Sequence, residues 1–103
     1  MAKKSIKNRV GRCFELNYKF VQGNEDYSLV HGYITDLRKK PPVTIPHAWS
    51  KKDSLIYDAV LDEVMDAGVY KAFFQAQEKY VYSAYEAMVA SMSDKTYGNW
   101  EEL

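Results

Sequence analysis

The sequence predicts an α+β fold: an N-terminal helix carrying the only cysteine, a small antiparallel sheet, and a long C-terminal helix packed on it. Three observations lead there. Apolar residues recur at helical spacing near the N-terminus and again over the last third of the chain. Between them lies "YSLVHGYIT", rich in the aromatic and branched residues that suit a pleated surface. After it, "IPHAWSKKDSLIYD" sets two short apolar runs around a polar turn, as a hairpin would.

Residues 1–8 are polar and expected to fray, as chain ends commonly do. The first helix is expected from Gly11 to about Val21, where Phe14, Tyr18 and Val21 recur beside Leu16 and Phe20. "QGNED" should stop it, with Gly23 or Asn24 in a left-handed cap. "YSLVHGYIT" reads as a central strand, and Gly32 within it as a bulge or a close backbone approach. "DLRKKPPVTIP" reads as a loop, because two adjacent prolines and then Pro46 withhold ladder donors.

In the hairpin, "HAWS" and "SLIYD" flank "KKD". A two-residue Lys52-Asp53 turn would set His47 directly opposite Asp58, and a three-residue turn would make them diagonal neighbours. Either register brings the side chains within reach of each other. "AVLDEVMDAG" is expected to be a turn or a short helix that Gly68 ends. From Val69 to about Met92 one long helix is expected, with Phe74, Val81 and Met88 on its apolar flank. The tail "SDKTYGNWEEL" is a turn region from which Trp100 packs back onto the fold.

Composition narrows the class. With 103 residues, the chain is expected to be one domain spanning 1–103. Its 47% apolar and 15% aromatic content is too rich for a disordered protein. No apolar run approaches the roughly 20 residues a membrane crossing needs, so no membrane partner is expected. "MAKKSIKNRV" has no apolar segment behind its charges, unlike a secretory signal. A lone cysteine, Cys13, excludes an internal disulfide and any multi-thiolate metal site, and points to a reducing, cytoplasmic setting. The histidines and acids show no zinc-ligand spacing, so neither metal nor cofactor is expected. Residues 1–52 carry eleven Lys/Arg against four Asp/Glu, net +7, and residues 53–103 three against ten, net −7. A basic first half can attract nucleic acid or an acidic partner. Its irregular spacing and the lack of any recognition motif weigh against nucleic acid.

The chemistry-bearing residues are Cys13, His47 and Asp58. A cysteine at a helix start sits among unpaired N–H groups and the positive end of the macrodipole, which favours an anion there. Arg9 and Arg12 add positive charge nearby. A histidine can accept the thiol proton and return it to a leaving group. An acid beside it can fix the imidazole tautomer and stabilise its charged form. Each residue alone has an ordinary reading as a small buried hydrophobe, a structural strand histidine and a turn-forming acid. Their placement on neighbouring elements is what suggests a triad. Trp49, two residues after His47, is a candidate site wall. His31, alternating with Leu29 and Tyr33, is a weaker candidate for a second site histidine.

"GRCFELNYKF", "LVHGYI", "IPHAW" and "LIYDAVLD", spanning roughly residues 11–66, resemble the papain-like and transglutaminase-like cysteine enzymes. The resemblance is to the small bacterial and phage members, with their Gly-x-Cys-[YF] helix start, His-Ala-Trp strand and Tyr-Asp strand end. "YGNW" is similar to that group's C-terminal ending. This resemblance implies a Cys-His-Asp triad on a helix-plus-antiparallel-sheet core, working by acyl transfer through a thioester. Cys13 matches the nucleophile, His47 the base and Asp58 the orienter. The implied activity is that of a hydrolase or acyltransferase on an amide or thioester bond of a protein or small acyl substrate. The pattern departs at the oxyanion donor, since no glutamine precedes Cys13. The Cys13 backbone N–H, with Asn8 or Asn17 as a second donor, is expected instead. A chain this short leaves little room for a two-lobed cleft. That fits a narrow substrate, or the alternative of a non-catalytic binding or inhibitor protein on the same fold.

Overall fold

A computed structural model describes residues 11–103. The elements run α1 (Cys13–Gly23), β1 (Ser28–Asp36), β2 (Val43–Lys52), β3 (Leu55–Asp58), β4 (Glu63–Asp66), α2 (Ala67–Phe74), β5 (Gln77–Tyr82) and α3 (Ala84–Asp94). The strands form one antiparallel sheet in the order β4-β3-β2-β1-β5, so the described residues make an α+β fold with three helices and five strands. The sheet is larger than expected, and the span 1–8 falls outside the described residues.

In α1 the buried positions Cys13, Asn17 and Val21 recur every four residues, which puts them on one face. The helix ends without the expected left-handed residue, since Asn24 has φ −141°. Asn24 closes it instead with its backbone N–H on the Val21 carbonyl, 3.1 Å, and its Nδ2 on the Phe20 carbonyl, 2.9 Å. β1 lies between β2 and β5, and both expectations for Gly32 hold. The β5 register slips between His31 and Gly32, and a Cβ at Gly32 would stand 1.9 Å from the Gln77 carbonyl oxygen.

Four expectations fail downstream. The span expected as a loop contributes the first four residues of β2, Val43 to Pro46, with Pro46 paired to Tyr33. β3 pairs only with Ser50, Lys51 and Lys52, so the flank of β2 beside Pro46 asks for no ladder donor. The hairpin turn is Asp53-Ser54, with Lys52 facing Leu55 and Asp53 at φ 54°. Continuing that register sets Asp58 across from Trp49 and diagonal to His47. The stretch after Asp58 is a turn followed by a strand, β4, and Gly68 lies within α2 rather than ending a helix.

The expected long helix is two helices with a strand between them. α2 starts on Asp66, whose carboxylate accepts from the Val69 N–H at 3.0 Å, and stops at Gln75, which is left-handed at φ 53°. Tyr80, Val81 and Tyr82 suit a strand, and the outer edge of β1 gives β5 its ladder. α3 opens with a reciprocal cap between Ser83 and Glu86.

Alternation along β1 and β2 splits the core. Leu29 and Ala48 pack with Cys13, Val21, Ala84 and Ala87 beneath α1 and α3. Val30, Ile34, Trp49 and Ile56 pack with Tyr70 beneath α2. Trp100 returns as expected, its ring against Tyr18, His31 and Tyr82. Among the described residues no helix is long and apolar enough to cross a membrane.

Candidate active site

The site forms where β3 stops short. Beyond Ser50 the outer flank of β2 is not covered by β3, and the start of α1 docks there. Asn17 makes the joint. Its Nδ2 donates to the Cys13 carbonyl at 2.9 Å and the Ala48 carbonyl at 3.0 Å. Its Oδ1 accepts from Ser50 Oγ at 3.0 Å and from the Ala59 N–H at 3.2 Å. One fully buried amide thus ties α1 to β2 and to the turn after β3.

That joint corrects the expected oxyanion role of Asn17, because both of its N–H groups are committed to carbonyls. Asn8, the other amide candidate, lies outside the described residues. The Cys13 backbone N–H remains, at the first residue of α1, where no intrahelical acceptor exists.

His47 and Asp58 meet as expected, though diagonally. His47 Nε2 lies 2.9 Å from Asp58 Oδ2. With Nε2 engaged by Asp58, Nδ1 is the ring nitrogen left for Cys13, which acts electrostatically on the imidazole. Burial pushes the imidazole down, but the Asp58 carboxylate and Cys13 outweigh it and carry His47 up to about 9. His47 is therefore an imidazolium at neutral pH. Burial likewise pushes Asp58 up, and its bonds from His47, the Tyr70 hydroxyl and the Val60 N–H outweigh that, holding the carboxyl below its ordinary range.

Trp49 stands behind the imidazole, with ring centroids 6.2 Å apart and planes 28° from parallel. Cys13 and His47 keep 9% and 8% of their surface exposed, while Asn17, Trp49 and Tyr70 keep none. Cys13 and His47 thus lie nearer the surface than the residues packed around them.

Tyr70 is the site residue that sequence reasoning missed. Its hydroxyl donates to Asp58 Oδ2 at 2.6 Å from α2. No spacing announces it, since its bond to Asp58 joins α2 to the end of β3, twelve positions earlier in the chain. His31 is not a second site histidine. Its ring lies among Phe14, Tyr82 and Trp100 at 4.7, 5.0 and 4.9 Å, and neither nitrogen has a hydrogen-bond partner. Burial lowers it to about 4, which keeps it neutral. Among the described residues no group of three His, Cys, Asp or Glu side chains is placed to hold a metal ion. Comparison with protein-family models, curated proteins and solved structures finds no match to this chain.

Proposed function

We propose that this chain is a small cysteine-dependent hydrolase or acyltransferase acting on an amide or thioester bond, on a papain- or transglutaminase-like core. The observation that carries the reading is the buried His47 held by Asp58 at 2.9 Å, with Cys13 acting electrostatically on the same ring. Helix α1 and the β2–β3 hairpin supply Cys13, His47 and Asp58, residue types that suit the roles of nucleophile, proton carrier and orienter, and this supports the reading.

With its proton already carried by His47, Cys13 Sγ attacks the carbonyl carbon, forming an S–C bond as the carbonyl electron pair moves onto oxygen. The Cys13 backbone N–H faces that oxyanion. Collapse of the tetrahedral species breaks the bond to the amine or thiol, which leaves with the His47 proton. Water or an acceptor nucleophile then attacks the thioester and gives its proton to His47. The second collapse breaks the S–C bond, frees the acyl product and leaves Cys13 Sγ unprotonated beside the protonated His47, as at the start. Asp58 keeps Nε2–H directed away from Cys13 throughout, so Nδ1 is the nitrogen that moves the proton.

Alkylation by iodoacetamide across pH tests this. At pH 6 Cys13 should react at least tenfold faster than free cysteine, and His47→Ala should remove that advantage. A rate equal to free cysteine, indifferent to His47→Ala, would sink the reading.

A second reading, a non-catalytic binding protein on the same fold, is favoured by one observation. Tyr85, Val89 and Met92 line α3 at helical spacing, and 71%, 46% and 71% of their surface is exposed. Under it, a stoichiometric partner stays bound to Cys13→Ser and is released by Val89→Asp; loss of the partner on Cys13→Ser alone would exclude it.

A further inference from the structure

Tyr70 has two environments. Its ring packs on Trp49 and Phe74 with centroids 5.7 and 4.8 Å away, and that alone would suit a core residue. Its hydroxyl is not explained by packing. It donates at 2.6 Å to Asp58 Oδ2, the same oxygen that takes His47 Nε2, while the Val60 N–H holds Oδ1 at 2.9 Å. The fold does not require such a bond of a buried phenol: the Tyr82 hydroxyl is buried with no partner.

We propose that Tyr70 is a positioning residue that acts through Asp58, taking part of the charge on Oδ2 and so limiting how tightly the carboxylate holds the His47 proton. This rests on the cysteine-enzyme reading above. An imidazolium gripped too firmly is a poor general acid, because proton transfer works best when the acid's affinity lies near the working pH. A second donor on Oδ2 divides the lone-pair density available to Nε2–H and fixes the carboxylate's rotamer at once. The titratable groups acting on His47 are Asp58 at the end of β3 and Cys13 on α1, and the same two act on Tyr70.

The test is the NMR titration of His47 in the full chain. Tyr70→Phe keeps the ring packing and removes only the donor, so the His47 transition should move up by about half a pH unit, roughly threefold in proton affinity. Replacing all tyrosines by 3-fluorotyrosine makes the phenol a stronger donor in a nearly isosteric chain and should move the transition down. That chain decides the matter if Tyr70→Phe does not fold. A transition that stays put in both, or moves in the opposite directions, overturns the role. Iodoacetamide alkylation of the unsubstituted chain and of His47→Ala separates the two failures. His47-dependent alkylation beside an unmoved titration removes Tyr70 alone. Alkylation that ignores His47→Ala removes the underlying chemistry and the positioning role with it.

Discussion

A buried amide or carboxylate is stabilising only if its hydrogen-bonding groups are met, and the site meets them at two residues. Asp58 accepts three bonds across its two oxygens. Asn17 uses both donors and takes two more bonds on its oxygen, with no surface left to water. Asn17→Ala would strand the Ala48 carbonyl, the Ser50 hydroxyl and the Ala59 N–H in a dry joint, where each lost partner carries a desolvation cost. The expected loss is about 3 kcal/mol in urea unfolding, with a fall in Cys13 alkylation at pH 6 because the start of α1 is no longer fixed against β2. A loss below about 1 kcal/mol would mean that water fills the place of the amide and that the joint does not position Cys13.

Secondary structure was legible where neighbours in sequence decide it and obscure where distant partners do. The start of α1, the strand around Gly32 and the hairpin all announce themselves by local pattern. Gly32 was readable because the close approach of the Gln77 carbonyl leaves glycine the only residue that fits. Pro46 misled because its tolerance depends on β3 being four residues long, a property of another segment. The hairpin register misled by two residues because a polar turn of "KKDS" offers more than one two-residue loop; only the pairing of Ile56 with Lys51 fixes it. The break in the supposed long helix had local signals: Tyr80-Val81-Tyr82 in succession, and Ser83 three residues before Glu86, the pattern of a capping box. Phe74, Val81 and Met88 nonetheless fall at sevenfold spacing, which an apolar count reads as one helix. The meeting of His47 with Asp58 was legible from their places on the two strands of one hairpin. The Asn17 joint and the Tyr70 bond were not, since hydrogen bonds between residues 31 and 12 positions apart leave no periodic trace.

The sheet separates two histidines that share a fold and titrate in opposite directions. His47 belongs with α2's side and is raised; its contribution to stability is complete below about 6.5 and fades as pH rises through about 9. His31 belongs with α1, α3 and the returning tail, and is lowered. The groups around it are Phe14 from α1, Tyr82 from β5 and Trp100 from the tail, of which only Tyr82 is titratable, and it bears no charge in acid. A depressed histidine contributes stability that is present above its unfolded value, near 6.5, and lost as pH falls toward its folded value of about 4. Asp58, also lowered, loses its share only below the ordinary carboxylate range, so the interval from 6.5 to 4.5 isolates His31 from it. Between pH 7 and 4.5 the chain should lose on the order of 2 kcal/mol through His31, since the unfolded state binds a proton that the aromatic cage refuses. His31→Leu removes the titrating group together with two unpartnered buried nitrogens, so it should flatten this limb in urea unfolding and leave the alkaline limb of His47 in place. An acid limb of equal depth in His31→Leu would show that the cage admits the proton, its ring faces holding an imidazolium as a cation–π site, and that acid sensitivity arises elsewhere.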